Sequence, residues 1–133
     1  MSDKTTVLRA FNNTFFEFLA EIQNIFPDST DIKDAIVGLE FFKKMNPAMI
    51  IKAWQYFVCD RYREEIAKGD ISFFCEKDYQ SDLSYMPNSE EIMKAIQRIR
   101  DPIKHMSDEN KSTAFKYVGN LCKLSDVYSK LSS

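Results

Sequence analysis

Leu8, Phe11, Phe15, Phe18, Ile22 and Ile25 recur at alternating intervals of three and four residues. That spacing keeps one stripe of a helix apolar for about five turns, and Leu19 and Phe26 widen it. Pro27 ends the segment, because it disfavours helical backbone at Phe26 and offers no N–H to the ladder. A second helix follows, capped by Ser29, Thr30 or Asp31, with Ile32, Ala35, Ile36, Leu39 and Phe42 on one face and an end near Met45. Asn46-Pro47 restarts the pattern, with Asn46 as N-cap and Pro47 at the first helical position, where its missing N–H costs nothing. The third helix is predicted to run to about Lys68, with Ile50, Ile51, Trp54, Phe57, Val58 and Tyr62 inward and Gly69 as its left-handed terminator.

Asp70 can cap one short turn through Ile71, Phe73 and Phe74. Periodicity then fails, and residues 76–88 read as a long loop, the place to look for variable or binding residues. Ser89, Glu90 and Glu91 open a further helix whose apolar face is Ile92, Ile96, Ile99 and Ile103, and Pro102 ends or kinks it. Ser107 with Asp108 and Glu109 starts the last helix, in which Ala114, Tyr117, Leu121, Leu124, Tyr128 and Leu131 repeat the spacing of the first. No segment alternates as a strand does. The pattern predicts an all-α fold, a compact bundle of five to six helices in a single domain over residues 1–133, with residues 1–6 a flexible amino terminus.

Composition narrows the chemistry. Eleven Phe, six Tyr and one Trp accompany a single histidine, which supplies a core but little catalytic equipment. His105 has Asp101 four residues before it and Cys122 further on, a conceivable nucleophile system. Pro102 breaks the helix that would align Asp101 with His105, and a surface histidine is the better reading. Carboxylates at Glu17/Glu21, Asp60/Glu64, Glu64/Glu65 and Glu90/Glu91 read as solvated faces, some pairing with Arg61, Arg63 or Lys68. One histidine cannot build a di-metal bundle site, and Gly38, Gly69 and Gly119 stand alone, without a phosphate-cradling string. These features point away from an enzyme, a cofactor or a metal.

A chain of this length can bury enough surface to fold without metal or disulfide. Cys59, Cys75 and Cys122 are odd in number and widely spaced, which favours a reducing compartment. With no signal-peptide pattern and no long apolar run, the expectation is a cytosolic or nuclear protein that does not enter a membrane.

The net charge of −2 gives no global attraction to nucleic acid. The balance is uneven, however, since residues 92–133 carry 8 Lys/Arg against 4 Asp/Glu. Lys94, Arg98, Arg100 and Lys104 cluster near Pro102, and Lys116, Lys123 and Lys130 recur every seventh residue along the last helix. Such residues can contact phosphates, with Tyr117 or Tyr128 stacking on bases, so nucleic-acid binding is the alternative function. A helix that packs Tyr117, Leu121 and Leu124 inward must also place lysines outward, which favours an ordinary solvated face.

Phe15-Phe16, Phe41-Phe42 and Phe73-Phe74 are adjacent pairs, and neighbours on a helix point about 100° apart, so one ring of each resists burial in a narrow stripe. Phe16, Phe41, Tyr56, Phe73 and Phe74 are therefore the candidate partner-binding residues. A wide buried face would accommodate the same doublets. The leading expectation is a non-enzymatic protein-interaction module.

The run Asn46-Pro47-Ala48-Met49-Ile50-Ile51-Lys52-Ala53-Trp54, then Asp60-Arg61-Tyr62, Arg98-Ile99-Arg100-Asp101-Pro102-Ile103 and Leu121-Cys122-Lys123-Leu124-Ser125-Asp126-Val127-Tyr128, resembles small helical proteins encoded by large DNA viruses of algae and protists. The resemblance spans about residues 7–130 and contains no active-site motif. It implies a viral protein in the cytoplasm or nucleus of a host cell, binding a host or viral protein or packaged in the particle as a structural component.

Overall fold

In the computed structural model, residues 3–60, 63–68, 94–95, 98–99 and 102–132 are described, and every statement of structure below concerns them. Helix α1 spans Lys4–Ile25 and α2 spans Thr30–Met45. Helix α3 spans Met49–Trp54 and passes into a π turn over Gln55–Cys59, followed by α4 over Arg63–Lys68. Residues 94–95, 98–99 and 102–104 have helical backbone, and α5 runs over Asp108–Ser132. The fold is all-α in a single compact domain, with no strand among the described residues. The loop expected at 76–88 lies outside them, as do Gly69, Phe73 and Phe74.

Local chemistry sets the helix boundaries. Asp3 Oδ1 accepts a hydrogen bond from the Thr6 N–H at 2.7 Å, satisfying one of the unpaired donors of the first turn. That bond holds the Asp3 carboxyl below its usual range. Helix therefore starts at Lys4, which corrects the expectation of a flexible segment through residue 6. Ser29 Oγ accepts from Ile32 N–H at 3.3 Å, and Ser107 Oγ from Asn110 N–H at 3.2 Å, so both serines cap as their positions predict. Regular helix resumes at Met49 rather than Pro47, which corrects the expectation of Asn46 as N-cap and Pro47 as first helical residue: the N-cap is Ala48, without a side-chain bond, and Asn46 Oδ1 accepts from Ala48 N–H at 3.0 Å in the turn before it.

Helix α1 packs most extensively on α5, and α2 and α3 complete the enclosure. Phe11, Phe15, Phe18, Leu19 and Ile22 from α1 are buried with Ile32, Ala35, Leu39 and Phe42 from α2. Trp54 lies among them, its ring edge-on to Phe11 at 6.5 Å and to Phe15 at 5.7 Å between centroids. Phe18 stacks on Tyr117 of α5 at 5.2 Å. Each buried aromatic contributes about 1.5–3 kcal/mol of apolar transfer, before the cost of ordering it. Ala95, Ile99 and Ile103 are also buried, and the latter two are on the face expected for that segment.

Three expectations need correction. Val7 rather than Leu8 is the buried residue at the start of α1, and Ile25 at its end is exposed, because the stripe drifts around a straight helix. The third helix is not regular α-helix throughout: the Asp60 N–H bonds to the Gln55 carbonyl at 2.9 Å, five residues back, the hydrogen bond of a π turn. On α5 the buried positions are Ala114, Val118, Leu121, Cys122, Ser125 and Tyr128, while Tyr117 and Leu124 are half-buried and Leu131 is exposed. The inward face of α5 is thus rotated toward two small residues, Cys122 and Ser125, that an apolar count passes over.

Candidate protein-binding surface

Helix α2 carries two apolar stripes. Ile32, Ala35, Leu39 and Phe42 are buried against the core, and on the opposite side Val37, Phe41 and Met45 are exposed, by 66%, 59% and 53%. Their four-residue spacing puts one above the next along about two turns. The Phe41 ring stands edge-on to the buried Phe42, 6.0 Å between centroids and at 68°. A core residue thus supports the exposed one, so Phe41 is presented rather than left loose. Asp34 and Lys44 flank the stripe and are exposed. Gly38 borders it, and a Cβ added there would meet nothing within 4 Å.

The other aromatic candidates are distributed differently. Phe16 is half-buried, packed against the core and edge-on to Phe15 at 5.5 Å, and the Lys43 ammonium lies 5.1 Å from its ring centroid. Phe16 is thereby covered from α2, and the expectation of a free ring is corrected. Tyr56, 37% exposed, lies on the π turn beside a cleft of about 240 Å³ whose walls include Gln55, Asp60, Ser125 and Tyr128. Phe73 and Phe74 lie outside the described residues. The three described candidates thus lie on three different elements and differ in exposure. Phe41 belongs to a stripe whose other members, Val37 and Met45, were missed because neither is part of a doublet. The signal that finds them is the apolar residues of α2 left over once its core face is assigned.

A polar network joins the π turn to α5. Gln55 Nε2 donates to Asp60 Oδ1 and Asp126 Oδ1, both at 2.9 Å, and Gln55 Oε1 accepts from Ser125 Oγ at 2.6 Å. Arg63 bonds both oxygens of Asp126, at 2.9 and 3.0 Å, and Asp60 at 3.0 Å. These carboxylates raise the Arg63 guanidinium further above its ordinary value, and the Arg63 bond holds the Asp126 carboxyl low. Beside the network, Cys59 and Cys122 pair as a disulfide, with Cα atoms 5.5 Å apart. The pairing corrects the reading of a chain without disulfides and withdraws the support that scattered cysteines lent to a reducing compartment. It also leaves Cys122 no free thiol for the nucleophile system. His105 is exposed, and Asp101 lies outside the described residues.

Lys94, Arg98, Lys104, Lys116, Lys123 and Lys130 are exposed, and Arg100 lies outside the described residues. Lys116 and Lys123 share a cleft of about 550 Å³ between α4 and α5 with Arg63, Ile66 and Phe115. Seven residues of helix separate them by about 10.5 Å. Asp126 lines the same cleft and offsets part of the positive charge. No helix among the described residues is long and apolar enough to cross a membrane.

The fold and this surface define an all-α domain with an apolar helix face turned to solvent. No protein-family model matches the chain, and comparison with curated proteins and with solved structures gives no match.

Proposed function

We propose that this protein is a non-enzymatic helical interaction module that binds a protein partner on the outward face of α2. The observation that carries the reading is the line of Val37, Phe41 and Met45, three large apolar side chains exposed on successive turns of one helix. Single exposed apolar residues are ordinary, whereas a contiguous row costs solubility and is accounted for when a partner covers it. The Val127 and Leu131 pair on α5 is also exposed but is shorter by one turn. On the resemblance to helical viral proteins, the partner is a host or viral protein met inside the host cell.

The test is tagged purification of the chain from its native cell, comparing wild type with Phe41→Glu. Proteins that co-purify with the wild type and are lost with the variant, at unchanged helicity and melting temperature, support the reading. An identical set from both sinks it. The alternative, nucleic-acid binding through Lys116, Lys123 and Lys130, is favoured by their exposure on α5. It requires saturable binding of DNA or RNA at low salt that weakens steeply as salt rises.

A further inference from the structure

Resting on the interaction-module reading, we infer that the partner for this face of α2 is a second copy of the chain, docked antiparallel about a two-fold axis. Thr30, Asp34, Val37, Phe41 and Lys44 are all exposed and recur at intervals of four, three, four and three residues. This is the seam spacing of a helix that packs along another helix. The buried face of α2, with Ile32, Ala35, Leu39 and Phe42, has the same alternation and is already occupied by the core.

The seam is self-complementary in one orientation. Reversing a second α2 about a point midway between Val37 and Phe41 sets Val37 against the second copy's Phe41, and Phe41 against its Val37. The same operation brings Asp34 opposite the second copy's Lys44 at both ends, an acid meeting a base twice. A parallel arrangement in register would instead oppose Asp34 to Asp34 and Lys44 to Lys44. A two-fold contact is the common way in which one surface satisfies itself. The helix dipole favours acids early and bases late on any face. It does not select the positions, in step with the exposed apolar residues, at which Asp34 and Lys44 stand. Gly38 borders the seam with open space where its Cβ would be, so nothing within the protomer requires a glycine there, and its small profile permits close approach of a second helix.

A helix of 16 residues is about 24 Å long, and one such pair buries less than the roughly 1,200 Å² at the lower end of stable interfaces. The dimer is therefore expected at the weak, reversible end of association.

Sedimentation equilibrium over a wide concentration range, combined with zero-length carbodiimide coupling and mass spectrometry, tests this. Asp34 and Lys44 lie about 15 Å apart on one helix, too far to couple within a protomer. An isopeptide bond between them in a mixture of ¹⁵N-labelled and unlabelled chains therefore reports two copies. The expected results are reversible dimerisation, this cross-link, at least a tenfold weakening by Phe41→Glu, and about a threefold to tenfold weakening by Asp34→Lys. Adding Lys44→Asp to Asp34→Lys should restore dimerisation. A monomer at every concentration overturns the inference, as does a dimer indifferent to Phe41→Glu and the charge exchange. If the chain is monomeric but Phe41→Glu still abolishes co-purification of another protein, the second copy is excluded while the interaction-module reading stands. If neither self-association nor co-purification responds to Phe41→Glu, both fail.

Discussion

Arg63 on α4 and Asp126 on α5 meet through two guanidinium–carboxylate hydrogen bonds of 2.9 and 3.0 Å. The pair closes the outer edge of the junction between the π turn and α5, where Gln55 and Asp60 share the same carboxylates and guanidinium. Both side chains are partly solvated, so screening reduces the pair's contribution. Arg63→Ala should lower stability by about 0.5–1 kcal/mol in urea unfolding, and Arg63→Lys should recover only part, because an ammonium cannot reproduce the two-pronged geometry.

Acid sensitivity follows from the same pair. Arg63 holds the Asp126 carboxyl below its ordinary value, Gln55 assists, and partial burial opposes them. An unfolded chain returns this group to about 3.9. The stabilisation is therefore complete above about pH 5 and is lost as pH falls through the lower folded value. The urea midpoint of the wild type should drop between pH 5 and pH 3, and its advantage over Asp126→Asn should shrink over that interval. A constant difference between the two proteins would contradict this account.

The disulfide between Cys59 and Cys122 closes a segment with a sequence separation of 63. Chain-entropy reasoning gives a link of that span roughly 4 kcal/mol of stabilisation, at the top of the range such links usually deliver. Reduction with dithiothreitol, or the double change Cys59→Ala with Cys122→Ala, should lower the melting temperature of the oxidised protein by comparable amounts. Melting that is insensitive to the reductant would show that the link contributes nothing to stability.

Trp54 is the only tryptophan, is 1% exposed, and touches Phe11 and Phe15 edge-on. Its fluorescence should be blue-shifted in the folded protein and move red on unfolding, reporting the core alone. Trp54→Ala should cost about 3–5 kcal/mol, since it removes the largest buried side chain and leaves a cavity between helices.

Gly38 sits in mid-helix with open space around the missing Cβ. Gly38→Ala should raise the stability of the protomer, measured by urea unfolding at low protein concentration, by about 0.5–1 kcal/mol through helix propensity. A loss of stability would reveal a contact at this position within the protomer.

Local signals were the legible part of the fold. Ser29 and Ser107 cap as their spacing implies, because a cap bond spans only three residues. Pro27 follows the end of α1 because its effect on the preceding residue is steric and immediate. The illegible parts depend on residues distant in sequence. Ser125 is buried because Gln55 supplies an acceptor, and Cys122 because Cys59 stands opposite, neither of which shows in the hydrophobic pattern of α5. Phe16 and Phe41 are equivalent as members of doublets, yet Lys43 covers the first while the second stays open. Val37 and Met45 belong to no doublet, and the core face of α2 is complete without them.

The π turn at Gln55–Cys59 adds one residue to a helical path, which rotates all that follows by about 100° relative to an uninterrupted helix. Upstream, α3 sets Ile50, Ile51 and Trp54 in the core; Cys59 within the turn and Arg63 beyond it meet α5. Removing a single residue from the turn would leave the first group in place and swing Arg63 away from Asp126. The five residues thus act as a gear, re-aiming the chain so that Arg63 turns toward the same helix that α3 and the turn already touch.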